Sequence, residues 1–360
     1  MVGSFSVISP SMSFVHQLEL DWILWFQGDG GTAPLMLKVS YFGSELLSYA
    51  VVFTYFCVSQ RTGAKVGILL SLSRVLLLIA KWAFHLPRPY WIDPRVKGLT
   101  ATGNFGMPSG HVLSASVVWP SIAAALRPGW ARWLAFFLVL LVAVSRVYLG
   151  SHFVSDVAAA WCLGRVLIWF VNRGGKWLPG SRSESCGAPG TRTVSAALTG
   201  YTPWWNVAFI ALGALLLIGL GLMAQDYGLN AVRSELWAEF ASNARNPTGL
   251  FEATGEFLGV GCGWVMARRW AGFDASGPWW RRIVACVYAG GGFWLLPSLV
   301  ELLPMERSEA VRCVVGFSLE AVKNYWLFLI APWILLRIGV LNPSAEGLAA
   351  SGWKQTGQAG

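Results

Sequence analysis

The sequence predicts an all-α protein, a polytopic membrane bundle of roughly nine spans. Of its 360 residues, 55% are hydrophobic and only 12% are charged, and the mean hydropathy is +0.53. About a quarter of the residues in a soluble chain are charged, so this chain lacks the polar surface that a soluble domain exposes. Apolar runs long enough to cross a bilayer recur along it. These observations predict an integral, multi-pass membrane protein.

The first element is a helix that precedes the spans. Residues 14–27, FVHQLELDWILWFQ, are too short and too polar to cross a bilayer. Trp22 and Trp25 in this stretch are typical of side chains that anchor a helix at the membrane surface. We therefore predict an interfacial N-terminal segment over residues 1–32.

The rest of the chain divides at a long polar segment. Five spans are predicted within 33–171, then a flexible basic loop rich in Gly, Ser and Pro over 172–203. Four more spans are predicted within 204–340, followed by a tail over 341–360. The predicted spans are 33–58, 65–86, 110–126, 131–148, 152–171, 204–226, 250–267, 282–303 and 313–340.

The loops between the spans differ in charge from one side of the membrane to the other. Those after the first, third, fifth and seventh spans hold twelve Lys and Arg, whereas the opposite side holds seven, mixed with seven acidic residues. Cytoplasmic loops are enriched in Lys and Arg, so the first set is predicted to be cytoplasmic. Residues 87–109 and 149–151 then lie on the periplasmic or lumenal side. The basic cytoplasmic loops account for the net charge of +9, so no nucleic-acid partner is needed to explain it.

Three polar clusters lie at the ends of spans on that non-cytoplasmic side. The second span ends in KWAFHLPRP, in which six residues separate Lys81 from Arg88. The third span begins with PSGH over 108–111, and SRVYLGSHFVSD over 145–156 joins the fourth span to the fifth. Consecutive membrane helices with short links are neighbours, so these clusters are expected to meet.

The residue types in these clusters favour binding of a phosphate. Lys81, Arg88 and Arg146 supply three cations, and arginine matches phosphate oxygens bidentately. Ser109 and Gly110 begin a helix whose N-terminus offers free N–H groups and the positive end of the helix dipole. No cofactor is expected, and the three segments contain no cluster of carboxylates that would bind a metal. A metal-free reaction is the simpler hypothesis.

Two histidines complete the predicted site. Asp156 follows His152 by four residues, which would hold one imidazole tautomer and leave the other ring nitrogen free to attack phosphorus. We therefore predict His152 as the nucleophile, Asp156 as the residue that orients it, and His111 as the acid that protonates the leaving oxygen. His85 lies between Lys81 and Arg88 but is predicted to be an ordinary histidine at the end of a helix.

The three blocks, Lys-x6-Arg-Pro, Pro-Ser-Gly-His and Ser-Arg-x5-His-x3-Asp, resemble the signature of the type 2 phosphatidic acid phosphatase superfamily. This superfamily includes lipid phosphate phosphatases, glucose-6-phosphatase and the soluble vanadium haloperoxidases. The resemblance covers roughly residues 65–170, and three ordered blocks are a specific signal. It implies an active site at the non-cytoplasmic end of the first five spans and a phosphohistidine intermediate. The matching positions are Lys81, Arg88, Pro89, Pro108, Ser109, Gly110, His111, Ser145, Arg146, His152 and Asp156.

The resemblance implies a metal-independent membrane phosphatase that hydrolyses a lipid or isoprenoid phosphate monoester or pyrophosphate. The RPYW block over 88–91 and the nine-span plan are similar to glucose-6-phosphatase, so a sugar phosphatase stays open. A phosphotransferase, in which an alcohol replaces water, stays open too. A transporter or channel would leave the three-block signature as a coincidence. The expected partners are the lipid bilayer and the phosphorylated substrate, and the sequence does not identify a protein partner.

Charged residues also occur in the predicted spans away from these clusters. Glu320 and Lys323 stand three residues apart on one helix, which predicts that they neutralise each other. The others are expected to pair between helices rather than to line a substrate route, and they are Glu45, Arg74, Arg165, Glu252, Glu256 and Glu301.

Cysteine labelling tests the predicted orientation. A membrane-impermeant maleimide is expected to miss Cys186, in the basic loop, in intact cells and to label it in inverted vesicles. A cysteine introduced at Thr102, between Arg88 and His111, is expected to show the opposite pattern. Both experiments use a variant in which the five other cysteines, which lie in or near predicted spans, have been replaced. Labelling of Cys186 from outside would place the three clusters in the cytoplasm.

Overall fold

Most of the described residues of the computed structural model are helical, and the predicted all-α class is confirmed. The predicted basic loop and tail lie outside the described part of the chain, except for residues 172–174, 203 and 341–344. The structure describes residues 14–28, 30–100, 102–174, 203–229, 240, 244–275, 277–301 and 308–344.

The first helix of the described chain, Phe14–Gln27, is the one predicted at the membrane surface, and the three polar clusters lie at the ends of later helices and in the links between them. A 3₁₀ turn, Tyr41–Gly43, and a π-helical turn, Thr54–Val58, flank the third helix, Glu45–Phe53. The helices before the basic loop are α1 (Phe14–Gln27), α2 (Ala33–Ser40), α3 (Glu45–Phe53), α4 (Gln60–Phe84), α5 (Pro89–Ile92), α6 (Gly110–Leu126), α7 (Gly129–Tyr148) and α8 (Val154–Gly174).

The described residues after the basic loop form five more helices and one short pair of strands. The strands β1 (Phe273–Asp274) and β2 (Asn342–Pro343) are antiparallel. A π-helical turn, Trp326–Ile330, joins the last two helices. The helices are α9 (Pro203–Leu229), α10 (Thr248–Trp270), α11 (Trp279–Glu301), α12 (Glu309–Tyr325) and α13 (Ala331–Arg337).

Six helical segments of the described chain are long and apolar enough to cross a membrane. A seventh results if Ala33–Gly43 and Glu45–Val58, which meet at 41°, count as one bent span. The remaining two of the nine predicted spans correspond to α6, with only 17 residues, and to α10, which carries four charged side chains. The six segments are Gln60–Ile92, Gly129–Tyr148, Val154–Arg173, Trp204–Asp226, Trp279–Leu299 and Glu309–Arg337.

Glycines on α10 allow this helix to pack closely against α12. A Cβ at Gly255 would lie 2.1 Å from the Phe317 carbonyl oxygen, and one at Gly259 would lie 2.3 Å from that of Ala321. Small residues of this kind let two membrane helices approach each other backbone to backbone. Val260 of α10 also belongs to a buried core that contains residues of α4 and α6. Helix α10, which packs against α12, therefore also packs against α4, the helix whose C-terminal end carries the first polar cluster.

Helix α6 lies between α8 and the turn that follows α2. A Cβ at Gly164 of α8 would lie 2.0 Å from the Ser116 hydroxyl of α6. On the other side, a Cβ at Gly43 would lie 2.9 Å from the His111 carbonyl oxygen. These close approaches fix the N-terminal turn of α6, which carries His111, relative to its neighbours.

Two of the predicted charge pairs are present. Arg74 Nη1 of α4 lies 2.7 Å from Glu256 Oε2 of α10, and Lys323 donates to Glu320 within α12. Among the described residues, no acidic partner is found for Arg165, and neither Glu45 nor Glu252 forms an ion pair. The prediction of pairing is therefore confirmed for only part of this set. Arg165 instead lines a cavity between α4, α6, α7 and α8.

The loop between Arg88 and His111 offers a position for an introduced cysteine that is more exposed than Thr102. Thr102 is half-buried, and its hydroxyl oxygen is enclosed. The neighbouring Gly103 is exposed, and a Cβ there would meet no atom within 4 Å. A cysteine introduced at Gly103 should therefore be tested beside the cysteine at Thr102, and it is expected to show the same labelling pattern.

Candidate active site

Lys81 lies in the last turn of α4, which ends at Phe84, three residues before Pro87. His85 ends the helix in the left-handed conformation, with φ 51°, and its N–H donates to the Lys81 carbonyl. Proline disfavours the helical conformation of the residue before it, which explains the end of the helix here. The Lys81 ammonium is buried and donates to the carbonyls of Phe105 and Gly106. These bonds attach the end of α4 to the loop that precedes α6.

Arg88 lies at the start of α5, in an extended conformation, with Pro89 as the first helical residue. Its guanidinium is buried and donates through Nε to the Asn104 carbonyl at 2.6 Å. Nη2 donates to the Asn104 side-chain oxygen and to the Phe105 carbonyl. Nη1 donates to the Ser151 carbonyl at 2.8 Å. Arg88 therefore connects the loop before α6 to the link between α7 and α8.

The loop before α6 approaches the site more closely than a side chain would permit. A Cβ at Gly106 would lie 2.6 Å from the Pro87 carbonyl oxygen and 3.2 Å from Asp156 Oδ2. The Gly106 N–H also donates to the Leu86 carbonyl at 2.8 Å. Glycine at this position is therefore needed for the loop to come close enough for its Phe105 and Gly106 carbonyls to accept from Lys81.

The N-terminus of α6 presents the Ser-Gly-His cluster. Ser109 is its N-cap residue, but its side chain makes no cap, and its hydroxyl is buried without a partner among the described residues. The first N–H groups of a helix have no acceptor within that helix, so this turn can donate to a bound anion. Gly110 and His111 are half-buried in this turn, whereas Ser109 is fully buried.

Arg146 lies in the last turn of α7 and is held by two hydroxyl groups. Nη1 donates to Ser40 Oγ at 2.9 Å, and Nη2 donates to Thr100 Oγ1 at 3.3 Å. Its Nε is buried with no partner among the described residues. The Thr100 hydroxyl is in turn hydrogen-bonded to that of Ser151. One buried N–H of this guanidinium thus stays available for a ligand.

His152 lies before α8 and not within it, which differs from the prediction that it begins the helix. Asp156 is in the first turn of α8, and its Oδ2 accepts the Phe153 N–H at 3.0 Å. A carboxylate at this position commonly accepts from the residue that caps the helix, so the helix starts after Phe153. His152 Nδ1 lies 3.3 Å from the same oxygen. Asp156 therefore both caps the helix and contacts the imidazole.

The hydrogen bonds of His152 determine its tautomer. Arg88 Nη1 lies 3.3 Å from His152 Nε2, and arginine can only donate. Nε2 must therefore carry the lone pair, and Nδ1 carries the proton that faces Asp156. Burial, and then the positive charges of Arg88 and Lys81, hold the pKa of His152 well below its ordinary value. The ring is neutral at neutral pH, with its unprotonated nitrogen, Nε2, on the side of the cations.

The predicted site residues meet in one place. Lys81, Arg88 and Arg146, together with His111, all act electrostatically on His152. No group of three His, Cys, Asp or Glu that could hold a metal ion occurs in the part of the chain that the structure describes. The arrangement can hold a tetrahedral oxyanion between cations and a helix N-terminus. None of the following is more than 2% exposed: Lys81, Arg88, Ser109, Arg146, His152 and Asp156.

Sequence reasoning missed the residues that position the arginines. Ser40 is 106 positions away from Arg146, and Asn104 and Thr100 belong to a loop of ordinary polar composition. Serine, threonine and asparagine are frequent in loops, so their presence carried no signal of contact with a buried cation.

Comparison with known families agrees with this geometry. A model of the PAP2 superfamily matches residues 62–178, which include every residue of the site except Ser40. The chain carries a PAP2 superfamily domain. A second model, described as the transmembrane extension of PAP2 superfamily phosphatases, matches residues 251–344. Helices α10 to α13, which support α4, therefore correspond to the extension of the PAP2 domain.

Several curated proteins are similar to parts of this chain. Phosphatidylglycerophosphatase B of Bacillus subtilis is 36% identical over 93 residues, 22% of this chain and 46% of that protein. Undecaprenyl-diphosphatase of Sulfolobus acidocaldarius is 30% identical over 135 residues, 36% and 64% of the two chains. Glucose-6-phosphatase 3 of Homo sapiens is 27% identical over 200 residues, 47% and 53%. The matches span between about half and two thirds of these relatives. No solved structure gives a significant match.

Replacement of Asn104 tests how Arg88 is positioned. We expect Asn104→Ala to weaken binding of inorganic phosphate by roughly ten- to a hundredfold, because one hydrogen bond to a charged group is lost. Asn104→Asp should weaken it further, because its carboxylate would pair with Arg88 and repel the anion. Competition of phosphate against turnover measures the affinity. Thr102→Ala, in the same loop, is the control, because the Thr102 hydroxyl has no described partner. Equal losses in both loop variants would contradict the role of Asn104.

Proposed function

We propose that the chain is a membrane phosphatase that hydrolyses lipid or isoprenoid phosphate monoesters or pyrophosphates through a phosphohistidine intermediate. One observation carries the proposal. His152 Nε2 lies 3.3 Å from Arg88 Nη1, while Nδ1 lies 3.3 Å from Asp156 Oδ2. A neutral imidazole is thus held with its lone pair on an N–H of Arg88, and transfer of that N–H to a phosphate oxygen on substrate binding would free Nε2 to attack.

In the first step, Arg88, Arg146 and Lys81 bind the phosphate oxygens, together with N–H groups at the start of α6. His152 Nε2 attacks phosphorus and forms a P–N bond while the bond to the leaving oxygen breaks. His111 donates a proton to that oxygen, so the product leaves as an alcohol or, from a pyrophosphate, as a protonated phosphate. The Asp156 carboxylate, which accepts from Nδ1, stabilises the positive charge that develops on the imidazole.

In the second step, water attacks phosphorus and the P–N bond breaks. The neutral His111 left by the first step accepts a proton from the water, inorganic phosphate departs and His152 returns to its neutral state. Both histidines therefore end as they began. If an alcohol replaced the water, the same intermediate would support a phosphotransferase.

The three cations also support a reaction without a metal. Guanidinium and ammonium groups neutralise the equatorial oxygens of the transferred phosphoryl group, which is the role of a divalent cation in many phosphoryl transfers. Among the described residues, Asp156 is the one carboxylate assigned to the site, and its Oδ2 already accepts from Phe153 and faces His152.

The substrate class rests on the relatives and on the place of the site. Two relatives are named for phosphatidylglycerophosphate and undecaprenyl diphosphate, and a site at one end of membrane helices suits a substrate whose tail stays in the bilayer. A sugar phosphate is the second candidate, because two relatives are named glucose-6-phosphatase 3. Trp91 of the RPYW block is 6% exposed and stacks on Phe240, so it is packed and does not offer a sugar platform. The basic loops support a periplasmic or lumenal catalytic face.

Separate replacement of the two histidines tests the assigned roles. We expect His152→Ala to lose turnover with all substrates and to form no acid-labile phosphoenzyme. His111→Ala should lose roughly a hundred- to ten-thousandfold with an alkyl phosphate. It should lose much less with p-nitrophenyl phosphate, because that leaving oxygen needs little protonation. Rapid-quench trapping and turnover on both substrates measure these effects. Rescue of His152→Ala by the aryl phosphate would reverse the assignment.

A substrate panel tests the activity itself. Purified protein should release phosphate from phosphatidylglycerophosphate or a polyprenyl diphosphate faster than from glucose 6-phosphate. The activity should persist in excess EDTA and should be inhibited by vanadate, which mimics five-coordinate phosphorus. Loss of activity on chelation with recovery in Mg²⁺ would refute the metal-free step, and faster release from glucose 6-phosphate would favour the sugar phosphatase. No release from any phosphate would refute the proposed function.

A further inference from the structure

A second polar feature lies at the opposite end of the PAP2 domain from His152. A cavity of about 530 Å³ opens between α4, α6, α7 and α8. Lys65 in its wall lies 16 residues before Lys81 on α4, which corresponds to about 24 Å along a helix. Arg132 lies in the first turn of α7, whereas Arg146 of the active site lies in its last turn. The two sites therefore occupy opposite ends of the same helices.

The packing of α6 against α8 explains why a cavity forms there. The two helices are in contact where Gly164 faces Ser116, because a Cβ at Gly164 would lie 2.0 Å from the Ser116 hydroxyl. Beyond this contact, α6 contains Pro120, which lacks the N–H that would donate to Ser116. Small residues, Ser121 and Ala124, face the resulting space in place of bulky ones.

Three cations converge on this cavity, and none has an acidic partner among the described residues. They are Lys65, Arg132 and Arg165. Arg132 and Arg165 are exposed and Lys65 is half-buried, so their charges can reach the membrane surface, and like charges that line one cavity repel each other. The missing counter-charge is therefore expected from a bound anion.

The remaining wall of the cavity is mostly apolar, with Ser121 and Asn172 as its polar side chains. Phe136, Trp161 and Ile168 line it, and Phe136 and Trp161 are 48% and 46% exposed on the outer side of the bundle. A free phosphate would meet the cations but leave this wall uncovered. A phospholipid satisfies both parts, because its phosphodiester meets the cations and its acyl chain covers the aromatic side chains.

We propose that this cavity is a binding site for the headgroup and upper acyl chain of an anionic phospholipid of the surrounding bilayer. The lipid is a resident ligand and not the substrate, because the site contains none of the histidines and lies at the far end of the helices. The proposal does not depend on the proposed catalytic function, and its test needs no turnover.

The test measures thermal unfolding of the full chain in nanodiscs of phosphatidylcholine, with and without phosphatidylglycerol. We expect phosphatidylglycerol to raise the Tm of the wild-type chain. The variant Arg132→Gln/Arg165→Gln should lose most of this shift, with an apparent lipid affinity weakened by roughly ten- to thirtyfold for two lost cations. The matched control is Arg127→Gln/Arg173→Gln, which removes the same charge from α8 and the α6–α7 link outside the cavity and should keep the shift.

A second variant separates the cavity from its charges. Ala124→Phe keeps all three cations but fills the space, so it should abolish the shift while its Tm in phosphatidylcholine stays close to that of the wild type. An equal shift with glycerophosphate alone would assign the cavity to a soluble anion and overturn the proposal. Equal loss in the Arg127→Gln/Arg173→Gln control would overturn it too, because general surface charge would then explain the effect.

Discussion

The buried guanidinium of Arg88 is the interaction on which the candidate site depends. Its acceptors come from the loop before α6, at Asn104 and Phe105, and from the link before α8, at Ser151. A charged group that is 2% exposed is stable only when its donors are satisfied, so both segments must close around it. The same closure places His152 Nε2 at 3.3 Å from the guanidinium. Burial of one charge and placement of the proposed nucleophile are therefore one structural event.

Asp156 performs the corresponding task on the other side of His152. Its Oδ2 accepts the Phe153 N–H at the start of α8 and faces His152 Nδ1, while its own carbonyl accepts the Ser109 N–H. The start of α8, the start of α6 and the imidazole are thus tied to a single residue. Gly106, which lies close enough that a Cβ would be 3.2 Å from Asp156 Oδ2, closes the loop over it. A change at any of these positions would disturb both helix termini at once.

The helices of the transmembrane extension stabilise the site without contributing residues to it in the described chain. Arg74 pairs with Glu256, and Val260 lies in the same buried core as residues of α4, so α10 holds α4 along its length. Because α4 carries Lys81 near one end and Lys65 near the other, it connects the candidate active site to the proposed lipid site. Lipid bound at one end would stabilise the helix that positions the cation at the other.

The sequence by itself determined the helical class and the set of polar residues that the fold gathers around His152. Those features are local, because an apolar run predicts a membrane helix and a charged residue at its end requires a partner. The tertiary structure alone decided that Ser40 and Asn104 hold the arginines, that His152 precedes α8, and that Arg165 faces a cavity and not an acid. These outcomes depend on the paths of loops and the closeness of helices. Contacts between positions 106 residues apart leave no periodic pattern in the chain, so no local rule encodes them.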